Sequence, residues 1–325
     1  MRAAIIPQPG PPSVLEMREV ATPEPGPGEI RVRVHAFGVN RADLLQRRGL
    51  YPAPPGSPQD IPGLEHAGVV DAVGADAEGW RPGDAVMGIV GGGAYAEYLV
   101  TSAEQVVRIP PGMSYEDAAA IPEVFVTAHD ALDRLAVVPG EWVLVHAIGS
   151  GVGTAAVQLI AARGAKCIGT SRTDAKLARA RRLGMAVGVN TAGGDFAQSV
   201  LQLTSGGAAA AIDLLGGPFL PQTIECMAHQ GRIVLVGLSA GRRADIDLGT
   251  VLRQRLRIEG TVLRSRDSTE KAAVVRSFGS EVLPLFVAGK IAPVVDKVFG
   301  FTDVAAAHGY LESNASFGKV VVQVV

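Results

Sequence analysis

Residues 141–157 read EWVLVHAIGSGVGTAAV: an apolar strand-like run, a glycine turn, and a small-residue segment that opens a helix. A strand that passes through glycines into a helix start aims backbone N–H groups and the positive end of the helix dipole at one point, which is how a protein holds a pyrophosphate. The glycines stand at Gly149, Gly151 and Gly153, and Thr154 takes the place where a strict G-x-G-x-x-G pattern has its last glycine. The meaning of the turn therefore depends on what flanks it.

Downstream, apolar runs at 142–147, 165–171, 187–190, 208–215, 232–238 and 257–263 alternate with helical patterns at 152–163, 173–183, 196–203 and 220–227. Apolar strands separated by amphipathic helices predict an α/β fold with a parallel, doubly wound Rossmann sheet. The glycine turn then follows its first strand, where such folds bind dinucleotides. Upstream, residues 1–113 are rich in Pro and Gly and broken into β-like runs at 30–35, 68–73, 85–89, 95–100 and 105–109. Turn signals at Pro25-Gly26-Pro27-Gly28, Pro54-Pro55-Gly56 and Arg81-Pro82-Gly83-Asp84 separate them, which predicts a compact β-barrel. Ser114-Tyr-Glu-Asp117 marks a helix start, and a helical pattern over 118–135 is interrupted at Pro122. Beyond a long helix at 268–288, a β-like run at 294–299, a helix at 302–313 and a last strand at 319–325 are expected to return to the first domain. The expected domains are thus 1–122 with 293–325, and 123–292.

Composition narrows the function classes. With 325 residues, 47% of them hydrophobic, the chain is long enough for two cores. A net charge of −2 with scattered basic residues supplies no stripe for nucleic acid or an anionic membrane. No window reaches the ~18 apolar residues of a membrane span. The N-terminus meets Pro7 before a signal-peptide core forms, so a cytoplasmic location is expected. Two cysteines, Cys167 and Cys226, are too few for a four-thiolate zinc lobe or a disulfide framework, and read as reduced core residues.

The second Rossmann strand ends at Thr170-Ser171-Arg172-Thr173-Asp174, where NAD enzymes carry a ribose-binding carboxylate. Ser171 and Arg172 stand at its tip and Lys176 one turn on, a set suited to the 2′-phosphate of NADP. Asp174 is the competing NAD-type group. In the turn, Ser150, Gly151, Val152 and Gly153 are the cofactor-binding candidates, with Ser150 either a donor to the cofactor or a local cap. Gly91-Gly92-Gly93-Ala94-Tyr95 has no helix signal after it and reads as a tight turn into a strand.

Four strings carry a resemblance over nearly the whole chain: Asn40-Arg-Ala-Asp-Leu-Leu-Gln-Arg-Arg-Gly-Leu-Tyr51, Ala120-Ile-Pro-Glu123, His146-Ala-Ile-Gly-Ser-Gly-Val-Gly-Thr-Ala-Ala156 and Leu263-Arg-Ser-Arg-Asp267. With them the sequence resembles the medium-chain dehydrogenase/reductase superfamily and, within it, the zinc-independent quinone oxidoreductases of the p53-inducible type. The resemblance implies a GroES-like β-barrel domain, a Rossmann domain, a cleft between them, and a homodimer paired through a Rossmann edge strand. It also implies further NADP(H) contacts at Thr127, Gly216, Gly237, Leu238, Leu263, Ser265, Phe317 and Lys319. Relatives often carry a tyrosine at the position of Thr191 and an asparagine at that of Ser316.

Zinc members of the superfamily hold the metal with cysteine, histidine and cysteine, because zinc takes N and S donors in a tetrahedral set. The matching positions here are Asn40, Leu64 and Glu123, and strand alternation turns His66 away from Glu65. No metal is expected. Without a Lewis acid, alcohol–aldehyde chemistry loses its polarising group, whereas a quinone is reduced to an aromatic product. The expected activity is NADPH-dependent quinone reduction by hydride or electron transfer, with Tyr51 as donor to a quinone oxygen or to the cofactor ribose, Asn40 as hydrogen-bond donor or orienter and Asp43 as its neighbour. The rival readings are an enone or enoyl-thioester double-bond reductase, near whose expected mouth lie Arg41, Arg47 and Arg48, and a cofactor-binding regulatory or RNA-binding protein.

Overall fold

The alternation of apolar strand and helix after Glu141 becomes one parallel sheet. In the computed structural model, which describes residues 1–325, six strands lie side by side in the order Val187–Asn190, Lys166–Ser171, Trp142–Val145, Ala208–Asp213, Met227–Leu235 and Arg257–Gly260. Every neighbouring pair is parallel. The chain works outward from Trp142–Val145 for three strands and then crosses back for the other three, the reversal that defines a doubly wound sheet. Its central strands are apolar throughout because helices cover both faces: Val143, Leu144, Val145, Ile168, Ile212 and Ile233 are all buried. This sheet belongs to a compact unit of residues 127–262.

The other unit, residues 1–126 and 263–325, is a barrel-like sheet centred on the long strand Glu29–Val39. That strand pairs antiparallel with Glu65–Val73 on one side. On the other it pairs with Tyr98–Ser102 through its first half and with Lys319–Gln323 through its second. Ala85–Ile89 and Val106–Arg108 extend the sheet one way, and Val295–Gly300 the other. The two C-terminal strands are thus part of the same sheet as Glu29–Val39. A hairpin of Arg2–Ile5 with Glu16–Glu19, which the sequence pattern left unmarked, adds to this unit.

One expectation is corrected. The expected helix at 268–288 is two helices, Ser268–Glu281 and Leu283–Val287, separated at Val282 ahead of Pro284, which has no N–H to continue the hydrogen-bond ladder. Both helices lie in the same compact unit as the barrel strands. Gln105 Nε2 donates to Ser268 Oγ at 3.0 Å, Arg276 pairs with Glu104 at 3.0 Å, and the Phe286 ring meets Phe125 edge-on at 4.8 Å.

Inside the barrel, Phe37 stacks on Tyr95 at 4.2 Å and meets the edge of Phe301 at 6.0 Å. His66 is in register with Phe37 on one neighbouring strand and Gly88 on the other, so it shares their face. It is completely buried, neither ring nitrogen has a hydrogen-bond partner, and desolvation lowers its pKa to about 3. An unpaired buried polar group costs about 1–3 kcal/mol. His66→Leu is expected to stabilise the protein by about 1 kcal/mol or more at neutral pH in urea unfolding. The unfolded histidine takes up a proton below its ordinary 6.5 while the folded one stays neutral, so the wild type loses stability on acidification. The advantage of the leucine variant should therefore widen as the pH falls from 7 to 5, and an advantage that shrinks over this interval contradicts the assignment.

Candidate active site

In the barrel unit the polar groups gather around Glu65, the first residue of its strand and fully buried. Its Oε1 receives Lys319 Nζ at 2.5 Å and Asn40 Nδ2 at 2.8 Å, and its Oε2 receives the Glu123 backbone N–H at 2.8 Å. Lys319 Nζ also donates to Asn40 Oδ1 at 2.8 Å and to the Val39 carbonyl at 3.1 Å. The ammonium has three protons and three acceptors. Asn40 is thereby held with its oxygen toward the lysine and its NH2 toward the carboxylate, an orientation set by the charges on either side. Gly38 passes so close that a Cβ there would run into the Glu65 carboxylate.

Asp43 sits one turn into the helix Arg41–Arg47 and accepts the Asn40 backbone N–H at 2.8 Å, the reciprocal arm of a capping box. It also accepts from Gly63 N at 3.2 Å and from Tyr95 Oη at 3.1 Å. Tyr95 Oη lies 2.9 Å from His308 Nε2, and Arg47 Nη1 lies 3.1 Å from His308 Nδ1. A guanidinium only donates, so Nδ1 is the bare nitrogen and Nε2–H points to the tyrosine. The donors then run in one direction, from Arg47 through His308 and Tyr95 to Asp43. Burial and the Arg47 charge hold His308 down at about 3, and burial raises Asp43 to about 6. Glu312 closes the outer end as the partner of Arg47. Asp43 has no exposed surface. The Asp43 carboxylate is thus enclosed by the Asn40, Gly63 and Tyr95 donors and lies directly behind Asn40.

Beside this cluster stand Tyr51 and Glu123, which keep some exposed surface, and the buried Arg264 and Lys271. Arg264 is 4% exposed and donates to the Gly91 carbonyl at 2.8 Å, the Tyr51 carbonyl at 3.2 Å and Gln46 Oε1 at 2.5 Å. Its guanidinium also lies 5.1 Å from the Tyr51 ring centroid, so one side chain joins the helix, the Pro-rich loop and the triglycine turn. The Tyr51 phenol has no protein partner, and burial raises its pKa, so it stays protonated and can donate a hydrogen bond. Glu123 is half-buried, and its carboxyl makes neither a hydrogen bond nor an ion pair. Burial and the Glu65 charge, with a smaller push from Asp43, outweigh the pull of Lys319 and Arg264 and raise its pKa to about 8. Burial likewise lowers the pKa of Lys271. Glu123 and Arg264 stood inside the diagnostic strings but carried no assigned role there. Tyr95, Lys271 and His308 had no sequence signal.

In the other unit, the first strand runs through Ala147, at φ 48°, into the glycine turn. Ser150 caps the helix Gly151–Ala162, its Oγ accepting from Gly153 N at 3.0 Å. A Cβ on Gly153 would stand 2.6 Å from the carbonyl oxygens of Ala147 and Ile148, so glycine is what lets the helix lie against the strand end. The N–H groups of Gly151 and Val152 have no backbone acceptor and form the free start of the helix. At the second strand's tip Arg172 is exposed and has no protein partner, whereas Asp174 Oδ1 is taken by Asn190 Nδ2 at 2.8 Å. Asp213, ending the fourth strand, accepts from the N–H groups of Leu215 at 2.8 Å and Gly216 at 2.9 Å, which shapes the turn where Gly216 takes φ 61°.

The candidates Ser150 to Gly153, Ser171, Arg172, Lys176, Gly216, Gly237 and Leu238 thus all follow the carboxyl ends of strands in one sheet, and Thr127 lies on the helix Pro122–Arg134. Leu263, Ser265, Phe317 and Lys319 belong to the barrel unit. Leu263 and Phe317 are buried and Ser265 is exposed. Lys319, expected among the cofactor contacts, has every N–H engaged within the Glu65 cluster.

Comparison with known proteins agrees with both halves. The model for the alcohol dehydrogenase GroES-like domain matches residues 26–111, and that for zinc-binding dehydrogenases matches residues 151–278. A quinone oxidoreductase of Pseudomonas aeruginosa is 34% identical over 319 residues, with 96% of each chain covered. Among solved structures, Escherichia coli quinone oxidoreductase complexed with NADPH superposes with a TM-score of 0.91 at 28% identity, covering 100% of both chains. An NAD-dependent alcohol dehydrogenase gives a TM-score of 0.88 at 35% identity, also with full coverage of both.

The zinc implied by the second model's name does not fit the donors present. Asn40 offers an amide already bound on both sides, Leu64 offers nothing, Glu123 is a lone carboxyl, and Lys319 brings a positive charge into the cluster. His66, one residue from Glu65 along the strand, faces the opposite way. Breaking one partner of a buried ion pair costs about 3–5 kcal/mol. Lys319→Met is expected to destabilise the protein by about that amount, and Glu65→Gln in the same chain to recover about 1–2 kcal/mol of it. A double-mutant cycle in guanidinium unfolding that came out additive would contradict the coupling.

Proposed function

We propose, for a chain that belongs to the medium-chain dehydrogenase/reductase superfamily and is related to its quinone oxidoreductases, that it reduces quinones with NADPH and without a metal. The observation that carries this reading is the cluster around Glu65, in which a lysine ammonium and an asparagine amide stand in place of a zinc ligand set. A simple carbonyl is left without a Lewis acid there. A quinone needs only two electrons and protons to become an aromatic diol.

When bound, NADPH supplies the hydride. The Gly151 and Val152 N–H groups at the helix start suit its pyrophosphate. Arg172, with Ser171 and Lys176 near it, suits the 2′-phosphate, while the tie between Asp174 and Asn190 takes the NAD-type carboxylate out of competition. Tyr51 donates a hydrogen bond to a quinone oxygen. Asn40 and Asp43 act as positioning residues that fix the floor beneath it. Two copies pair along the exposed edge strand Arg257–Gly260. Two buried, unpaired thiols, Cys167 and Cys226, support a cytoplasmic location; no helix is long and apolar enough to cross a membrane.

Steady-state oxidation of NADPH and NADH with ortho- and para-quinones, enones and an enoyl thioester tests the reading. Quinone turnover with NADPH is expected; turnover confined to enones or the thioester overturns it in favour of double-bond reduction. Absence of turnover together with tight RNA binding favours a non-enzymatic role. Arg172→Glu should raise the KM for NADPH about tenfold or more, equivalent to ~1.4 kcal/mol, and spare NADH. Equal effects on both cofactors remove Arg172 from the phosphate site.

A further inference from the structure

We propose that Glu123 is a catalytic residue, the acid that hands a proton to the quinone oxygen as the hydride arrives. The inference rests on the quinone reductase reading above and assigns the proton, for which that reading names no source. Hydride transfer from the reduced nicotinamide brings two electrons and one hydrogen to the quinone. The Glu123 O–H bond breaks, a new O–H bond forms on the reduced ring, and the products are hydroquinone, oxidised cofactor and the Glu123 carboxylate. Solvent returns the proton, since the side chain is only half-buried.

The geometry singles out this carboxyl. Its backbone N–H is pinned to Glu65 Oε2 at 2.8 Å, which sets the residue at the first turn of the helix Pro122–Arg134 while leaving its carboxyl free of any protein partner. The other acids nearby are unsuited. Glu65 and Asp43 have no exposed surface, and the Tyr51 phenol is pushed toward an even weaker acid than usual by burial.

The charges that act on Glu123 come from every side. Glu65 on its strand and Asp43 on the helix Arg41–Arg47 repel an anion. Lys319 and Arg264 attract one, and Lys271 on the helix Ser268–Glu281 and Tyr51 on the Pro-rich loop are within electrostatic reach. A helix start also favours negative charge. Burial beside two carboxylates prevails, and the acid keeps its proton up to about pH 8. Once the proton is given up, Arg264 and Lys271 lie close enough to steady the carboxylate that remains.

Glu123→Gln preserves shape and the backbone bond to Glu65 but has no proton to transfer. With a quinone that the wild type reduces, kcat should fall about 100-fold, with the quinone KM within about twofold. The fall in wild-type kcat above a pH of about 8 should vanish in the variant. Glu123→Asp, which keeps an acid, should recover part of the rate. Two readouts do not depend on turnover. The infrared band of a protonated carboxyl should be present in the wild type at neutral pH and missing from the Gln variant. Folded Glu123 holds its proton to about 8, whereas the unfolded chain releases it near 4.5, so wild-type stability drops as pH rises between these values and levels above. The melting advantage of Glu123→Gln should grow across that window. A Gln variant with wild-type kcat, or a pH limb that instead disappears in Lys271→Met, overturns the assignment, as does a missing carboxyl band. A wild type that reduces no quinone while showing both the band and the melting trend removes the quinone reading and the catalytic role with it, but leaves the bound proton in place.

Discussion

The ion pair between Lys319 and Glu65 is the constraint on which the barrel's polar site depends. Taking two charges out of water is costly, and their attraction alone seldom repays it. Here the remainder is met by hydrogen bonds: Asn40 and the Glu123 N–H complete the carboxylate, and Asn40 with the Val39 carbonyl completes the ammonium. The partners come from the ends of three adjacent strands and the starts of two helices. Satisfying one pair of charges therefore fixes one end of each of those strands and where both helices begin.

The same pair has electrostatic consequences around it. It sets the Asn40 amide, and Asn40 is held from behind by Asp43, itself the last acceptor in a chain of donors from Arg47. The direction of that chain follows from one chemical fact, that a guanidinium never accepts a hydrogen bond. Glu65 keeps its own charge paired, and its field falls on Glu123, which has no cation of its own. Three acids within one small region thus take different roles because their partners differ.

The Rossmann unit solves a simpler problem. A helix start is left with free N–H groups close to the end of one strand, and the tip of the next strand carries an unpaired positive side chain. Ser150 satisfies the third N–H and leaves the first two, Gly153 permits the close approach, and Arg172 is left unpaired by the engagement of its neighbour Asp174 with Asn190.

Much of this was legible in the linear sequence because it rests on neighbours in the chain. Strand, glycine turn and helix follow each other within residues 141–157, and the alternation after them foretold a doubly wound sheet. Arg172 stood visibly where an acid would mark NAD. What only the tertiary structure decided depends on residues far apart in the chain. Lys319 lies 279 residues from Asn40, and nothing local distinguishes it from a cofactor-binding lysine until both are seen at one carboxylate. Only the fold shows that the Asp43 carboxylate is fully enclosed and accepts from Gly63 and Tyr95, far from it in the chain. The fold also separated the helices after Leu263 from the sheet that precedes them, since packing against Phe125, Glu104 and Gln105 gives no periodic signal in the sequence. Local sequence determines which conformations and charges are available; the pairing of those charges across the fold determines which of them remain free to act.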